Sequence, residues 1–324
     1  MTSISPVTNL DFNETKEALK TFLKNQSQFK DFDYEGSNMN VLIDVLSYNT
    51  FYNSYYYNMA ISEMFLDSAT QRNSVISHAK ELNYMPTSRR SAATKATISV
   101  TASSISSNYF NIPKHTQFIG RCGNKTYNLI TDKAYNAIRS TSNDSAYTVT
   151  DVDLYEGRMI TETLSSDQTT LSNANIDTRS LIVTVNGDVY TYRADIFGIS
   201  ATDKVFYIQP ENDGNYSVQF GKNKFGSEPT ITDSIIATYR VTAGPSANGI
   251  SSLTSGGFGG ASSITISLNA ITSGGSLAED IDSIRTFAPK ALQVQERAVT
   301  KRDYETLLRA RFPNIQAISV YGGD

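Results

Sequence analysis

Residues 36–84 form a long stretch without proline, in which Gly36 is the only glycine. Apolar residues recur in it at alternating steps of four and three, with one polar position at Ser62. This heptad-like spacing keeps one face of a long helix turned toward a partner helix. Ser37 is placed to cap that helix, because its hydroxyl can accept a hydrogen bond from an amide of the first turn. The predicted face consists of Val41, Val45, Tyr48, Tyr52, Tyr55, Met59, Leu66 and Ala69.

The length of this stretch limits where it can lie. A single helix from Ser37 through Ser77 would be about 60 Å long at 1.5 Å per residue, too long for the inside of a small domain. Two interpretations stay open, a buried hairpin of two helices and a projecting helix that joins an intermolecular bundle. In the second interpretation the apolar face is a partner interface, so partner binding is the leading hypothesis for this stretch.

Composition limits the classes of partner. The 324 residues carry a net charge of −4, and no basic cluster is longer than Arg89-Arg90, which does not favour nucleic acid. Cys122 is the only cysteine, so no intramolecular disulfide or multi-cysteine metal site is possible. The first residues lack the basic and apolar regions of a signal peptide. No run reaches the roughly 18 apolar residues of a membrane span, so we expect a protein made in a cytoplasm without membrane insertion.

The segments around the long stretch read as a helix, a turn and a linker. Residues 12–30 place Leu19, Phe22, Leu23 and Phe29 on one helical face, with Asn13 as the cap. Asp31, Asp33 and Glu35 follow in a turn that lacks the other ligands of a calcium loop, so we interpret it as solvated. Met85-Pro86 ends the helical part. Residues 87–94 are then rich in Ser, Thr and Ala and are predicted to be a linker.

The middle of the chain alternates polar and apolar residues, which predicts strands. Asn186-Gly187 is a tight-turn dipeptide and predicts a hairpin between two of them. The strand spacing is typical of a sandwich or barrel. A Gly/Ser-rich segment at 251–263 lacks the Gly-Lys-Ser/Thr ending of a phosphate-binding loop and is interpreted as a loop. Strands are predicted at 95–101, 126–130, 147–153, 181–185, 189–193, 204–208, 215–220, 234–242 and 262–268.

The last fifty residues predict two helices and a strand. Ser276 and Glu279 form a capping-box pattern ahead of a helix over 280–288, which Pro289 is expected to end. Thr300 is placed to cap a second helix, whose apolar stripe is Tyr304, Leu307, Leu308 and Phe312. A strand over 314–321 with no partner after it looks like the opening of a domain, so we expect the sequence to be cut short there.

These elements predict an α+β multidomain fold, with long N-terminal helices, a mostly antiparallel β region and the start of a C-terminal α/β domain. The predicted divisions are a helical arm at 1–86, the linker at 87–94, a β domain at 95–272 and an incomplete α/β domain at 273–324.

The residues that could support catalysis are few and scattered. Neither His78 nor His115 has the neighbouring Cys or His that would complete a metal site. His115 and Cys122 lie seven residues apart without a family signature for a base and a nucleophile. Asp151 and Asp153 lie on one face of one strand, whereas a glycosidase needs two carboxylates facing each other. We therefore expect no enzymatic activity, no cofactor and no metal.

Several separated segments carry the motifs of a known family. Residues 33–42 read DYEGSNMNVL, 46–50 read LSYNT and 83–88 read NYMPTS. Residues 218–249 contain a glycine-rich strand pair followed by a small-residue turn, and 279–323 contain a helix-strand segment. In these segments the chain resembles the baseplate wedge subunits of T-even-like contractile-tailed bacteriophages, within the broader baseplate J-like family. The resemblance covers most of the chain and is weaker across 100–215.

The resemblance implies a structural role in the baseplate wedge of a phage tail. The implied partners are other wedge subunits and a second copy of the chain, joined through a bundle of N-terminal helices, with the baseplate hub, the tail tube region and sheath-initiating proteins nearby. It further implies assembly in the host cytoplasm, location in the virion and a rearrangement on sheath contraction, for which 87–94 could be a hinge. Family members continue well beyond a segment like 279–323.

Two other functions fit parts of the sequence. The β region is rich in Tyr, Ser, Thr and Asn, as in a carbohydrate-binding tail fibre or adhesin, although the repeats usual in such fibres are absent. A cell-wall hydrolase is a more remote alternative, because the sequence shows no pair of catalytic carboxylates.

Overall fold

A computed structural model describes residues 11–26, 28, 33–102, 107–141, 145–211, 214–255, 259–294, 297–312 and 317–322. The chain divides into two compact units, Met1–Leu82 and Asn83–Asp324. Of the residues named above, Phe29 and Asp31 lie outside the described part. Helices precede a mostly antiparallel β region, so the predicted α+β class is confirmed.

The described residues of the first unit form three helices, α1 (Phe12–Lys24), α2 (Asn38–Glu63) and α3 (Arg72–Glu81). Ser37 caps α2, as predicted, by accepting a hydrogen bond from the Asn40 amide at 3.1 Å. The cap of α1 is Asp11 and not Asn13. Asp11 Oδ1 accepts from the Asn13 and Glu14 amides, because a carboxylate just before the first turn reaches the unpaired N–H groups there.

The interpretation of residues 37–77 as one continuous helix is wrong, because α2 ends at Glu63. The Glu63 carboxylate accepts hydrogen bonds from the amides of Thr70 and Gln71 and from the Thr70 hydroxyl. It thus satisfies N–H groups at the start of α3 and stabilises the turn at residues 64–71. The His78 ring, 2.9 Å from the Glu63 carbonyl oxygen, closes the same corner.

We expect Glu63→Gln to destabilise the turn at residues 64–71 and the start of α3. Burial raises the pKa of Glu63, but the hydrogen bonds from Ser74, Thr70 and Gln71 outweigh it and hold the pKa below its usual value. The amide lacks this charge, so α3 should lose about 0.5–2 kcal/mol of local stability, as when other caps are removed. Hydrogen exchange at residues 70–76 measures the loss. Glu81→Gln, at the other end of α3, is the control, and equal exchange in both variants would contradict the capping role.

The second unit is built from fourteen strands in the described part of the chain. Their bounds are β1 Ala93–Thr101, β2 Tyr109–Ile112, β3 Gln117–Cys122, β4 Lys125–Thr131, β5 Tyr135–Arg139, β6 Ala146–Glu156, β7 Arg158–Leu164, β8 Ile176–Val185, β9 Asp188–Tyr192, β10 Val205–Pro210, β11 Tyr216–Phe220, β12 Ile235–Val241, β13 Leu253–Ser255 and β14 Ser263–Leu268.

The strands form two sheets. The larger has the order β13-β3-β4-β6-β1-β14, with β5 also paired to β6 and β2 to β5, and its pairs are antiparallel. The smaller has the order β11-β10-β9-β8-β12-β7, in which β9 and β10 are parallel and the other pairs antiparallel. The chain passes from one sheet to the other at Gly157, between β6 and β7.

Each sheet has its own apolar core. Alternate residues of β1, Ala96, Ile98 and Val100, point into the first core together with Phe118 and Tyr147. The second core contains Val183, Phe206, Val218, Ala237 and Tyr239. The alternation seen in the sequence therefore separates core positions from exposed positions, as expected for half-buried antiparallel strands.

Every predicted strand in the middle region is found, and the predicted hairpin is confirmed. Asn186 and Gly187 both have positive φ, at 52° and 89°, and connect β8 to β9 with Val185 opposite Asp188. Strands β2, β3, β5, β7 and β13 were not among those that the alternation of polar and apolar residues predicts.

The segment predicted as a linker lies within the second unit. Ser88, Ser91 and Ala92 are buried, and Ala93 and Thr94 already belong to β1. Arg90 forms a β-bridge with Ser276. The four-part division of the chain stays a prediction.

Two helices follow the sheets, α4 (Ile281–Val294) and α5 (Lys301–Arg311). Pro289 lies inside α4 and does not end it, because burial of the flanking Ile284, Ala288 and Val294 offsets the lost hydrogen bond. The predicted Ser276/Glu279 box is also wrong, since Asp280 Oδ1 accepts from the Ser283 amide. Thr300 caps α5 as predicted, and Asp303 completes a capping box.

The predicted strand over 314–321 is not seen in its described part. Residues 317–322 form neither helix nor strand, and 313–316 lie outside the described residues.

Candidate partner-binding face of α2

One face of α2 exposes large apolar side chains. Val41, Val45, Tyr48, Tyr52 and Tyr55 are each 50–59% exposed. They recur at steps of four and three along a 26-residue helix, which places them on one side. The structure therefore places five of the eight predicted residues together on an exposed face, called the α2 face below.

The opposite side of α2 is buried although it is more polar. Asn40, Ile43 and Ser47 are almost fully buried. The Ser47 hydroxyl donates to the Ile43 carbonyl oxygen at 2.7 Å, and the Asn40 side-chain amide donates to the Glu35 carbonyl oxygen. A helix of a self-contained unit normally buries its apolar side. In α2 this arrangement is reversed, with large apolar side chains exposed on one side and Asn40 and Ser47 buried on another.

The remaining three predicted residues do not continue the face as one helix. Met59 lies on α2 and is half-buried. Leu66 and Ala69 follow the end of the helix, and Ala69 is fully buried. Their predicted place on a continuous seam is wrong because of the turn that Glu63 holds.

The exposed apolar surface is wider than the sequence analysis predicted. Leu42 and Leu46 are 56% and 53% exposed on another side of α2, and Tyr56 and Tyr57 are exposed as well. Beyond the helix end, Phe65 is 62% exposed. The i and i+4 spacing of Leu42 and Leu46 is a signal that could have identified the wider stripe. Contiguous apolar patches larger than a few hundred Å² mark interaction sites on soluble proteins.

Helix α1 packs beside this face. The Phe12 and Tyr48 rings lie 4.8 Å apart between centroids, and Tyr48 lies 6.3 Å from Tyr52. Lys16 Nζ lies 2.5 Å from Asp44 Oδ1. These contacts fix the position of Tyr48 while leaving about half of its side chain exposed. The aromatic row is thus preorganised for contact with another surface.

Cys122 and His115, the residues considered above as a nucleophile and a base, occupy structural positions. Cys122 Sγ donates to the Asn248 carbonyl oxygen at 3.3 Å. His115 occupies a left-handed turn with φ 64°, and burial lowers its pKa, followed by the charge of Lys114. Among the described residues, no group of three or more His, Cys, Asp or Glu side chains could hold a metal ion.

A buried ionic cluster lies inside the second unit. Arg240 Nε donates to Ser91 Oγ at 2.8 Å, and Nη1 donates to Asp132 Oδ1 at 2.7 Å. Arg240 Nη2 lies 3.6 Å from Asp177 Oδ2, and its guanidinium carbon lies 4.6 Å from the Tyr155 ring centroid. Arg240 and Asp177 belong to the smaller sheet, while Tyr155 belongs to the larger. The cluster connects the two sheets.

The helices of the first unit match a known protein family. Residues 11–84, which contain α1, α2 and α3, match the family model for the helical domain of gp6-like baseplate wedge proteins. The resemblance to baseplate wedge subunits is therefore confirmed.

A relative among curated proteins is baseplate wedge protein gp6 of Enterobacteria phage T4. It is 29% identical over 347 residues, which cover 96% of this chain and 51% of that protein. The chain thus spans about half the length of this relative. Among solved structures, the cryo-EM structure of the anti-feeding prophage (AFP) baseplate matches with a TM-score of 0.35 and 11% identity, over 93% of this chain and 57% of that one.

No helix in the described part of the chain has the length and apolar character needed to cross a membrane.

Proposed function

We propose that this protein is a structural component of a phage tail baseplate wedge and that it joins other wedge subunits and a second copy of itself through the α2 face. The observation that carries this proposal is the inverted polarity of α2, which buries Asn40 and Ser47 and exposes Val45 and Tyr52. Covering apolar surface stabilises an association by about 25 cal/mol per Å² before the cost of association is subtracted. The similarity to a baseplate wedge protein supports the same role.

The proposal assigns the chain no catalytic step and places it in the virion tail after assembly in the host cytoplasm. Contacts with the baseplate hub, the tail tube region and sheath-initiating proteins belong to the same proposal. For a rearrangement on sheath contraction, the buried Ser88, Ser91 and Ala92 do not favour a hinge within 87–94. The division of the chain after Leu82, next to Asn83 with φ 55°, favours a hinge there.

The double substitution Val45→Asp/Tyr52→Asp is expected to abolish the association. A buried, unpaired carboxylate costs several kcal/mol, so two should weaken binding by far more than 100-fold. Both side chains are exposed in the first unit, so the first unit should stay folded in this variant. The measurement is the mass in solution of the chain alone and mixed with candidate wedge subunits, with circular dichroism to check folding.

The matched control is Thr50→Asp/Asn53→Asp, which adds two charges to exposed positions of α2 away from the α2 face. This variant should form the same complexes as the unaltered chain. If the Val45/Tyr52 variant is folded and still assembles with wild-type yield, the α2 face is not the interface. If both variants lose assembly equally, general charge and not this face controls the association.

A further inference from the structure

A pocket of about 350 Å³ in the second unit is lined by residues of β8, β9 and β10 and by the segment before β1. Its volume falls in the range of about 300–1,000 Å³ typical of ligand sites. One part of its wall is apolar, and the other part carries two guanidinium groups, those of Arg90 and Arg179. The apolar part consists of Met85, Pro86, Leu181, Tyr192 and Ile208.

Arg90 is the unusual group in this pocket. Its backbone pairs with Ser276, but within the described part of the chain its guanidinium has no hydrogen bond, ion pair or ring contact. Burial lowers its pKa, followed by the positive charge of Arg179. Arginine stays charged in proteins and carries five N–H donors in a planar fork. A half-buried cation with unused donors is suited to binding an anion from outside the chain.

The neighbouring charges do not satisfy Arg90. Arg179 Nε and Nη2 donate to the two oxygens of Asp177 at 3.0 and 2.9 Å, which occupies that carboxylate. Glu279 accepts hydrogen bonds from the Tyr84 hydroxyl and the Thr87 amide. Both acids favour the charged form of Arg90, but neither lies within ion-pair distance of it. The described acids therefore leave the donors of Arg90 available to a ligand.

We propose that this pocket binds a short acidic peptide segment of a partner protein, in which a Glu or Asp pairs with Arg90 and an adjacent apolar side chain contacts Met85 and Ile208. A carboxylate matches the guanidinium fork with two parallel hydrogen bonds. The apolar wall favours a peptide over a small inorganic anion, which would leave the exposed Tyr192 ring in contact with water. This site is independent of the α2 face and of the assembly proposed for it.

The test uses the full chain with methyl-labelled methionine and a capped peptide, Ser-Leu-Glu-Leu-Ser, as the probe. Met85 lies in the pocket, so its methyl resonance, assigned with Met85→Leu, reports occupancy. We expect the peptide to shift this resonance in a saturable way. The Arg90→Gln variant should bind the peptide at least tenfold more weakly, and the Arg90→Lys variant should keep part of the affinity. The matched peptide Ser-Leu-Gln-Leu-Ser should bind at least tenfold more weakly.

The controls separate the alternatives. Arg121→Gln removes an exposed arginine of β3 and should bind the peptide like the unaltered chain. Sodium phosphate should compete only weakly. Phosphate binding as tight as peptide binding would overturn the peptide assignment. Absence of a Met85 shift, or equal binding by the Arg90→Gln and Arg121→Gln variants, would overturn the site. All of these outcomes can be read whether or not the α2 face mediates assembly.

Discussion

Asp177→Ala should lower the free energy of unfolding of the second unit by about 3–5 kcal/mol. This is the range for removing one partner of a buried ion pair. Asp177 is fully buried in β8. It accepts two hydrogen bonds from the Arg179 guanidinium and one each from the Arg179 and Ser91 amides, at 3.3 and 3.1 Å, and it lies 3.6 Å from Arg240. Alanine leaves the almost fully buried Arg240 guanidinium with Asp132 as its remaining carboxylate.

The pH dependence of this loss gives a second signature. Burial raises the pKa of Asp177, but the hydrogen bonds and charge of Arg179, the charge of Arg240 and the Ser91 amide outweigh it and leave the pKa below its usual value. A depressed pKa stabilises the folded state above the unfolded value, near 3.8, and this stabilisation is lost as the pH falls through the folded pKa. The difference in the free energy of unfolding between the unaltered protein and the Asp177→Ala variant should therefore become smaller below about pH 4.

Urea unfolding followed by far-UV circular dichroism and tyrosine fluorescence measures both effects. The control is Asp188→Ala, which removes an exposed ion pair with Lys204 at 2.7 Å. This change should cost at most about 1 kcal/mol, as is usual for surface pairs. Equal losses in the two variants, or a loss at Asp177 that does not change in acid, would mean that the cluster does not stabilise the junction of the sheets.

The parts of the fold that the sequence predicted depend on residues close together in the chain. The Ser37 cap, the Thr300 cap and the Asn186-Gly187 turn each involve contacts within a few positions, so local stereochemistry decides them. Strand alternation is equally local. Short strands such as β2 and β13 carry too few residues for alternation to identify them.

The features that the sequence missed depend on long-range contacts. No glycine or proline marks the break after Glu63, because its carboxylate reaches forward to Thr70 and Gln71 to hold the turn. This is why Leu66 and Ala69 were misplaced on the face while Val45 and Tyr52 were not. The buried ionic cluster joins residues that lie 86, 108 and 149 positions apart in the chain, a separation that no local pattern reveals.

The turn that carries the chain from one sheet to the other can be tested at Gly157. Its φ of 133° is one that side-chain-bearing residues rarely adopt, and its amide donates to the Asn128 carbonyl oxygen at 2.8 Å. A Cβ at this position would lie 2.6 Å from Arg240 Cγ and 2.6 Å from the Val241 carbonyl oxygen. The close approach of β12 to the crossover therefore requires a residue without a side chain.

Gly157→Ala should destabilise the second unit by about 3 kcal/mol or more, because backbone strain of about 1–3 kcal/mol adds to an overpacking cost of similar size. Gly187→Ala is the matched control, since its φ is also positive at 89° but no atom lies within 4 Å of the added methyl group. It should lose only the strain contribution. Urea unfolding of both variants measures the difference. If both variants lose the same free energy of unfolding, β12 accommodates the methyl group without measurable overpacking. The backbone conformation alone would then require glycine at position 157.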